Sequence, residues 1–156
     1  MQHDIEKNLA ALNLVLPEPP KPVAAYIPAV RCGNQVVVSG QLPFRNGQLT
    51  DTGRMPEAMP LEQAQAAAAQ CALNALAIVK AELGGDWTKL VRVIRIGVFV
   101  SGAPDYYEHP KVANGASDLL VKLLGEAGRH ARAAVGVSAL PLNAVVEVEM
   151  TVEAKP

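Results

Sequence analysis

Apolar positions first recur at helical spacing in Ile5, Leu9, Leu12 and Leu16, which predicts a short amphipathic helix over residues 4–15. It stops at Pro17. The run PEPPKP, residues 17–22, predicts an extended polyproline connection, because proline lacks the amide proton that a helix or central strand requires. Residues 1–22 therefore read as an arm, and residues 23–156 as one domain. Strand signals begin next. Residues 23–31 and 35–40 flank Gly33-Asn34, a two-residue hairpin signal in which both residues tolerate positive φ. Val36, Val37 and Val38 follow one another without a polar break, predicting a strand covered on both faces. Asn46-Gly47 marks a smaller turn, before a loop over residues 50–60 rich in glycine, proline and methionine.

The clearest helix spans residues 61–83. It is alanine-rich and free of proline, and would run about 35 Å. Leu61, Ala64, Ala68, Cys71, Ala75 and Ile78 form its buried stripe, with Gln63, Gln70 and Asn74 off it, and Gly84-Gly85 ends it. Residues 90–100, LVRVIRIGVFV, form the strongest strand. Arg92 and Arg95 fall on its opposite faces, and at least one is expected to meet an acid at an interface. Residues 105–127 form a second helical region, broken near Pro110 and stopped by Gly128. Residues 133–139 and 145–153 close the chain as a hairpin around Pro141-Leu142. The order ββαβαββ predicts an α+β fold, with two helices packed on one face of a mixed sheet.

The closing strands carry the candidate chemistry. Paired as a hairpin, they set Glu147 against Gly136 and Arg132 against Thr151, and opposed side chains share a face. One face then holds Arg132, Ala134, Gly136, Ser138, Glu147, Glu149 and Thr151, and the other is valine-rich core. A merely wet face would take bulkier polar residues at 134 and 136. Missing bulk beside an arginine suits a carboxylate guest held through two parallel N–H···O bonds. Arg132 and Glu147 are offset by four residues, about 13 Å at the strand rise, so a ligand or a second subunit must close the gap. Glu149 reads as a solvated acid.

Composition narrows the function. With 156 residues, half of them apolar, the chain builds a packed core, and a net charge of −1 offers phosphate no basic face. Aromatics make up only 4%, too few for an RNA stacking platform. No apolar run reaches the ~18 residues a membrane span needs, and the first residues, MQHDIEKNLA, lack a secretory h-region. A cytoplasmic protein with two reduced cysteines, Cys32 and Cys71, is expected. His3, His109 and His130 share no ligand spacing, so neither a metal nor an organic cofactor is expected.

Three segments resemble the Rid family, the YjgF-type reactive intermediate deaminases. They are YIPAVRCGNQVVVSGQLP from Tyr26, the stretch ending VFVSGAPDYYEHPKVAN, and ARAAVGVSALPLNAVVEVE, which is similar to the family's signature of R, VxVxxLP and VE-E. They run in the family's order across residues 23–153. The resemblance implies the chorismate-mutase-like (YjgF/RidA-like) fold, a homotrimer with ligand clefts between subunits, and hydrolysis of 2-imino acids or their enamines to 2-oxo acids and ammonia. It puts the carboxylate-binding arginine at Arg132 and the water-positioning glutamate at Glu147. The other substrate-binding positions it implies are Tyr26, Ser39, Gly40 and Asn114. Chemically, Arg132 would anchor the carboxylate, Glu147 would take a proton from water, and a backbone N–H near Ser39-Gly40 would stabilise developing charge. Ala134 departs from the cysteine many members carry, and Ala24-Ala25 from their Gly-Pro. These departures, with the long arm, keep open a non-catalytic 2-oxo acid binding or regulatory protein. An endoribonuclease or translation inhibitor is a third class.

Overall fold

The computed structural model describes residues 4–19 and 25–156. Part of the polyproline stretch and the first two residues of the strand expected from residue 23 lie outside the described residues, and residues 25–28 are not strand, so that strand begins only at Ala29. The elements are α1 (Ile5–Ala11), β1 (Ala29–Cys32), β2 (Gln35–Gln41), α2 (Leu61–Glu82), β3 (Leu90–Ser101), α3 (His109–Leu124), β4 (Ala131–Val137) and β5 (Val146–Ala154). The strands form one mixed sheet in the order β1-β2-β5-β3-β4. Among these five strands, β3–β4 is the parallel pair and the other pairs are antiparallel.

That order overturns the expected closing hairpin. β4 leaves β3 through the α3 crossover and returns parallel to it, while β5 inserts between β2 and β3. Strand–helix–strand connections make parallel pairs, and this won over the turn signal at Pro141-Leu142. That segment is a tight turn and not a regular helix, with positive φ at Leu142 and Asn143, and it carries the chain from β4 to β5.

The sheet buries one face against α2 and α3. Val36 and Val38 of β2, Ile96, Val98 and Val100 of β3, and Val146, Val148 and Met150 of β5 are all buried. Val37 and Val30 point the other way and are exposed, so the valine run of β2 is covered on one face only, contrary to expectation. Between Cys32 and Gln35 the turn takes positive φ at Gly33 alone, not at Asn34. A register shift between Val93 and Arg95 turns Arg92 and Arg95 toward the same open face, where they lie opposite Glu153 and Thr151.

α2 is buried well beyond its expected stripe, since Ala67, Ala72, Leu73 and Leu76 are also inside. Asn74 is buried too, although the pattern put it outside. Its amide donates to the carbonyls of Leu42 (2.9 Å) and Phe44 (3.1 Å), and its oxygen accepts from Gln70. Cys71 packs among these residues, and burial pushes its thiol well up. The two helices cross closely at Gly115, where a Cβ would stand 2.0 Å from the Gln65 carbonyl oxygen. Pro110 does not break α3 but sits in its first turn, where its missing N–H is harmless.

α1 lies across the outer side of the helix layer. Ile5 and Leu9 join the common core, and Asn8 donates to the Leu123 carbonyl. Glu6 accepts from Lys80 (2.6 Å) and from the Trp87 indole (2.9 Å), which hold its carboxyl below the usual range. Among the described residues no helix is long and apolar enough to cross a membrane.

Candidate functional site

Parallel pairing sets Arg132, Ala134 and Gly136 beside Ile96, Val98 and Val100. Those β3 residues face the helices, so Arg132 projects from the helix side of β4. There its Nη1 donates to Asn114 Oδ1 (2.9 Å) and to Ser117 Oγ (3.0 Å). Asn114 and Ser117 are three apart on α3 and so share a side of the helix. Ser117 Oγ lies 3.0 Å from His130 Nε2, and His130 Nδ1 lies 2.5 Å from the Gly128 carbonyl oxygen. Both hydrogens of Nη1 are thereby used. Among the described residues nothing accepts from Nε or Nη2, the edge that forms a two-pronged bond with a carboxylate. Burial, with a smaller push from Arg132, lowers the pKa of His130.

The small residues along β4 have a packing cause. A Cβ on Gly136 would stand 2.3 Å from His109 Nε2, so the imidazole fills the space expected for a guest. Ala134 is partly buried against the core.

Glu147 sits elsewhere. It lies opposite Phe99, on the sheet's open face. Its carboxylate rests over Gly40, where a Cβ would stand 2.0 Å from Oε1; only glycine leaves that space. Ser39 and Gly40 fall in the register shift between Val38 and Gln41. The Ser39 N–H is donated to Pro28 and its hydroxyl to Ile27, so Ser39 itself supplies no free donor. Tyr26 is exposed, next to the Ile27 that Ser39 binds. No described residue donates to the Glu147 carboxylate. Burial, and then the neighbouring Glu149, raise its pKa. Glu149 is different: Arg95 Nη1 holds it at 3.0 Å within the same chain, over Gly97.

The structure therefore makes two half-sites. Gly40 and Glu147, with Ser39 nearby, share the β2–β5 side of the open face. Arg132 and Asn114 meet on the helix side of β4. The single polar face expected from the hairpin does not exist, because β3 separates the strands and the two key residues point from opposite faces. Ser117 was not singled out in the sequence, and His130 and His109 were weighed there only as metal ligands. Spacing could have flagged two of them: Ser117 lies one helical turn beyond Asn114, and His130 lies two residues before Arg132, on the same side of an extended chain.

A five-stranded mixed sheet backed on one face by two long helices, with this arginine and glutamate at its closing strands, defines the chorismate-mutase-like α+β fold. The chain belongs to the YjgF/RidA family: the family described as "YjgF/chorismate mutase-like, putative endoribonuclease" matches residues 6–154. Protein TCP17 of Trypanosoma cruzi is 42% identical over 96% of this chain and 93% of its own length. A 2-iminobutanoate/2-iminopropanoate deaminase of Dermatophagoides farinae is 30% identical over 87% of this chain and 91% of its own. Among solved structures, the protein Atu1372 of Agrobacterium tumefaciens, itself of unknown function, is 45% identical. It superposes with a TM-score of 0.91, covering 97% of this chain and 94% of its own.

Proposed function

We propose that this protein is a hydrolytic deaminase of 2-imino acids and their enamine tautomers, giving 2-oxo acids and ammonia. One observation carries the reading: an arginine whose carboxylate-binding edge is free, together with a glutamate that no described residue neutralises. Arg132 holds the substrate carboxylate, and Asn114 steadies the guanidinium. Glu147 takes a proton from water as the hydroxyl adds to the imine carbon. Glu147 returns that proton to the carbinolamine nitrogen, the C–N bond breaks to release ammonia, and the hydroxyl proton passes to Glu147 and on to solvent as the oxygen becomes the carbonyl of the 2-oxo acid. A protonated imine is already electrophilic, so positioning and one base suffice. The name of the Dermatophagoides farinae relative supports this chemistry.

The opposite facing of Arg132 and Glu147 supports a cleft built between copies, with the arginine from one and the glutamate from the next. The exposed Val30, Val37 and Val135 on the open face support a closed homotrimer joined sheet to sheet. Light scattering at micromolar concentration should give three times the chain mass, and a monomer would remove the composite cleft.

The activity itself is tested by generating imines from several amino acids with an amino-acid oxidase and trapping them as semicarbazones. The protein should shorten imine lifetimes and release ammonia. Tight 2-oxo acid binding without turnover would instead support the regulatory reading. The endoribonuclease reading predicts RNA binding that weakens steeply with salt, and the net charge of −1 gives it little support.

A further inference from the structure

A long, exposed arginine ordinarily spreads over many rotamers, and binding must then bear the cost of ordering it. Arg132 is held instead. Of its two Nη1 hydrogens, one goes to Asn114 Oδ1, an acceptor in any arrangement. The other goes to Ser117 Oγ, which accepts well there only if its own proton points elsewhere. His130 supplies that direction. Its Nδ1 faces the Gly128 carbonyl, which can only accept, so Nδ1 carries the ring proton and Nε2 presents a lone pair to Ser117. Gly128 is itself fixed, since a Cβ there would stand 2.2 Å from the Leu120 carbonyl oxygen, so the turn sits hard against α3. Hydrogens therefore run in one direction, from Arg132 to Ser117 to His130, and from His130 on to Gly128.

We propose that Ser117 and His130 are positioning residues for the carboxylate anchor: the imidazole orients the Ser117 hydroxyl, and the hydroxyl locks one nitrogen of Arg132 so that Nε and Nη2 stay presented as a fork. This rests on the reading of Arg132 as the anchor. The ring's neutrality fits its surroundings. Burial disfavours the charged ring most, the Gly128 carbonyl opposes that in part, and Arg132 on β4 disfavours a second cation; Ser117 on α3 is uncharged. An imidazolium would put a proton on Nε2 in place of the lone pair and turn the Ser117–His130 bond around, so that Ser117 no longer donates to the ring.

The test has two arms on the full chain. Nitrogen-15 NMR of the free protein should show His130 protonated at Nδ1, and should show Arg132 Nη1 hydrogens slowed in rotation. Ser117→Ala should reduce that slowing, with the Asn114 bond remaining, whereas Ser117→Thr keeps it in full. Pyruvate titrated calorimetrically should bind about three- to tenfold more weakly to Ser117→Ala and to His130→Phe, the scale of one lost neutral hydrogen bond. His130→Gln, whose side-chain oxygen can still accept from Ser117, should recover most of the affinity. A proton on Nε2, or unchanged Arg132 signals in Ser117→Ala, overturns the proposal. Wild-type protein that fails to bind pyruvate overturns the anchor reading instead, and the NMR arm still decides the hydrogen-bond order.

Discussion

Arg132→Ala is expected to lose more than a hundredfold in affinity for small 2-oxo acids while keeping its fold. Two charge-assisted hydrogen bonds of about 1.5–3 kcal/mol each disappear with the fork, a loss of about 3 kcal/mol or more. The fold should survive because Arg132 is exposed, and Asn114 and Ser117 can turn to water once it is gone. Arg132→Lys should fail nearly as badly, since a point charge cannot reproduce the planar fork or hold Asn114 and Ser117 together. Calorimetric titration with pyruvate and 2-oxobutyrate, alongside thermal melts, checks both halves. Unchanged affinity in the alanine variant would remove the anchor.

Glu147→Gln should lower kcat by about 10²–10⁴-fold, the usual worth of a general base. Affinity for a 2-oxo acid should hold or improve, because a carboxylate ligand gains nothing from a nearby anion. Glu149→Gln is the control. Its carboxylate is already neutralised by Arg95, and breaking that half-exposed pair costs about 0–1 kcal/mol. The acid limb of kcat should follow Glu147, which works only when ionised. Because its pKa is raised, activity should fall away at a pH above that of an ordinary glutamate. The stability effect has the opposite sign. A carboxyl raised in the folded state penalises folding once pH exceeds its unfolded pKa, and the penalty fades as pH falls below that value. Glu147→Gln should therefore melt no lower than the parent at neutral pH. A variant that hydrolyses imines at the parental rate would reduce Glu147 to a bystander.

The sequence was informative where a signal was local and misleading where the answer depended on pairing. Gly84-Gly85 ended α2 as expected, both with positive φ, and the alanine-rich run formed the helix. The period of two in residues 146–154 put the valines inside. The partner of that strand was not local information. A proline turn between two strands resembles a hairpin, yet β3 already lay between them. One wrong neighbour moved Arg132 to the wrong face and joined two half-sites into one. Gly136 misled for a related reason. Absent bulk looks like a vacancy in a sequence, but here it accommodates His109, 27 positions away along the chain. The residues implied by family resemblance did not depend on that pairing, which is why Arg132 and Glu147 remain the candidates after the topology changed.

The placement of β5 also bears on how the protein is made. Of the five strands of the sheet, the one synthesised after the other four is the middle one, hydrogen-bonded to β2 on one side and β3 on the other. Until it emerges, the β1–β2 hairpin and the β3–α3–β4 unit each expose an unpaired edge and an apolar face, the features that draw nascent chains into aggregation. Synthesis from the N-terminus can assemble the two parts but cannot join them into one sheet without β5. The nascent chain therefore has no route to a finished sheet before β5 clears the exit tunnel, and holding chaperones have that whole interval in which to engage it.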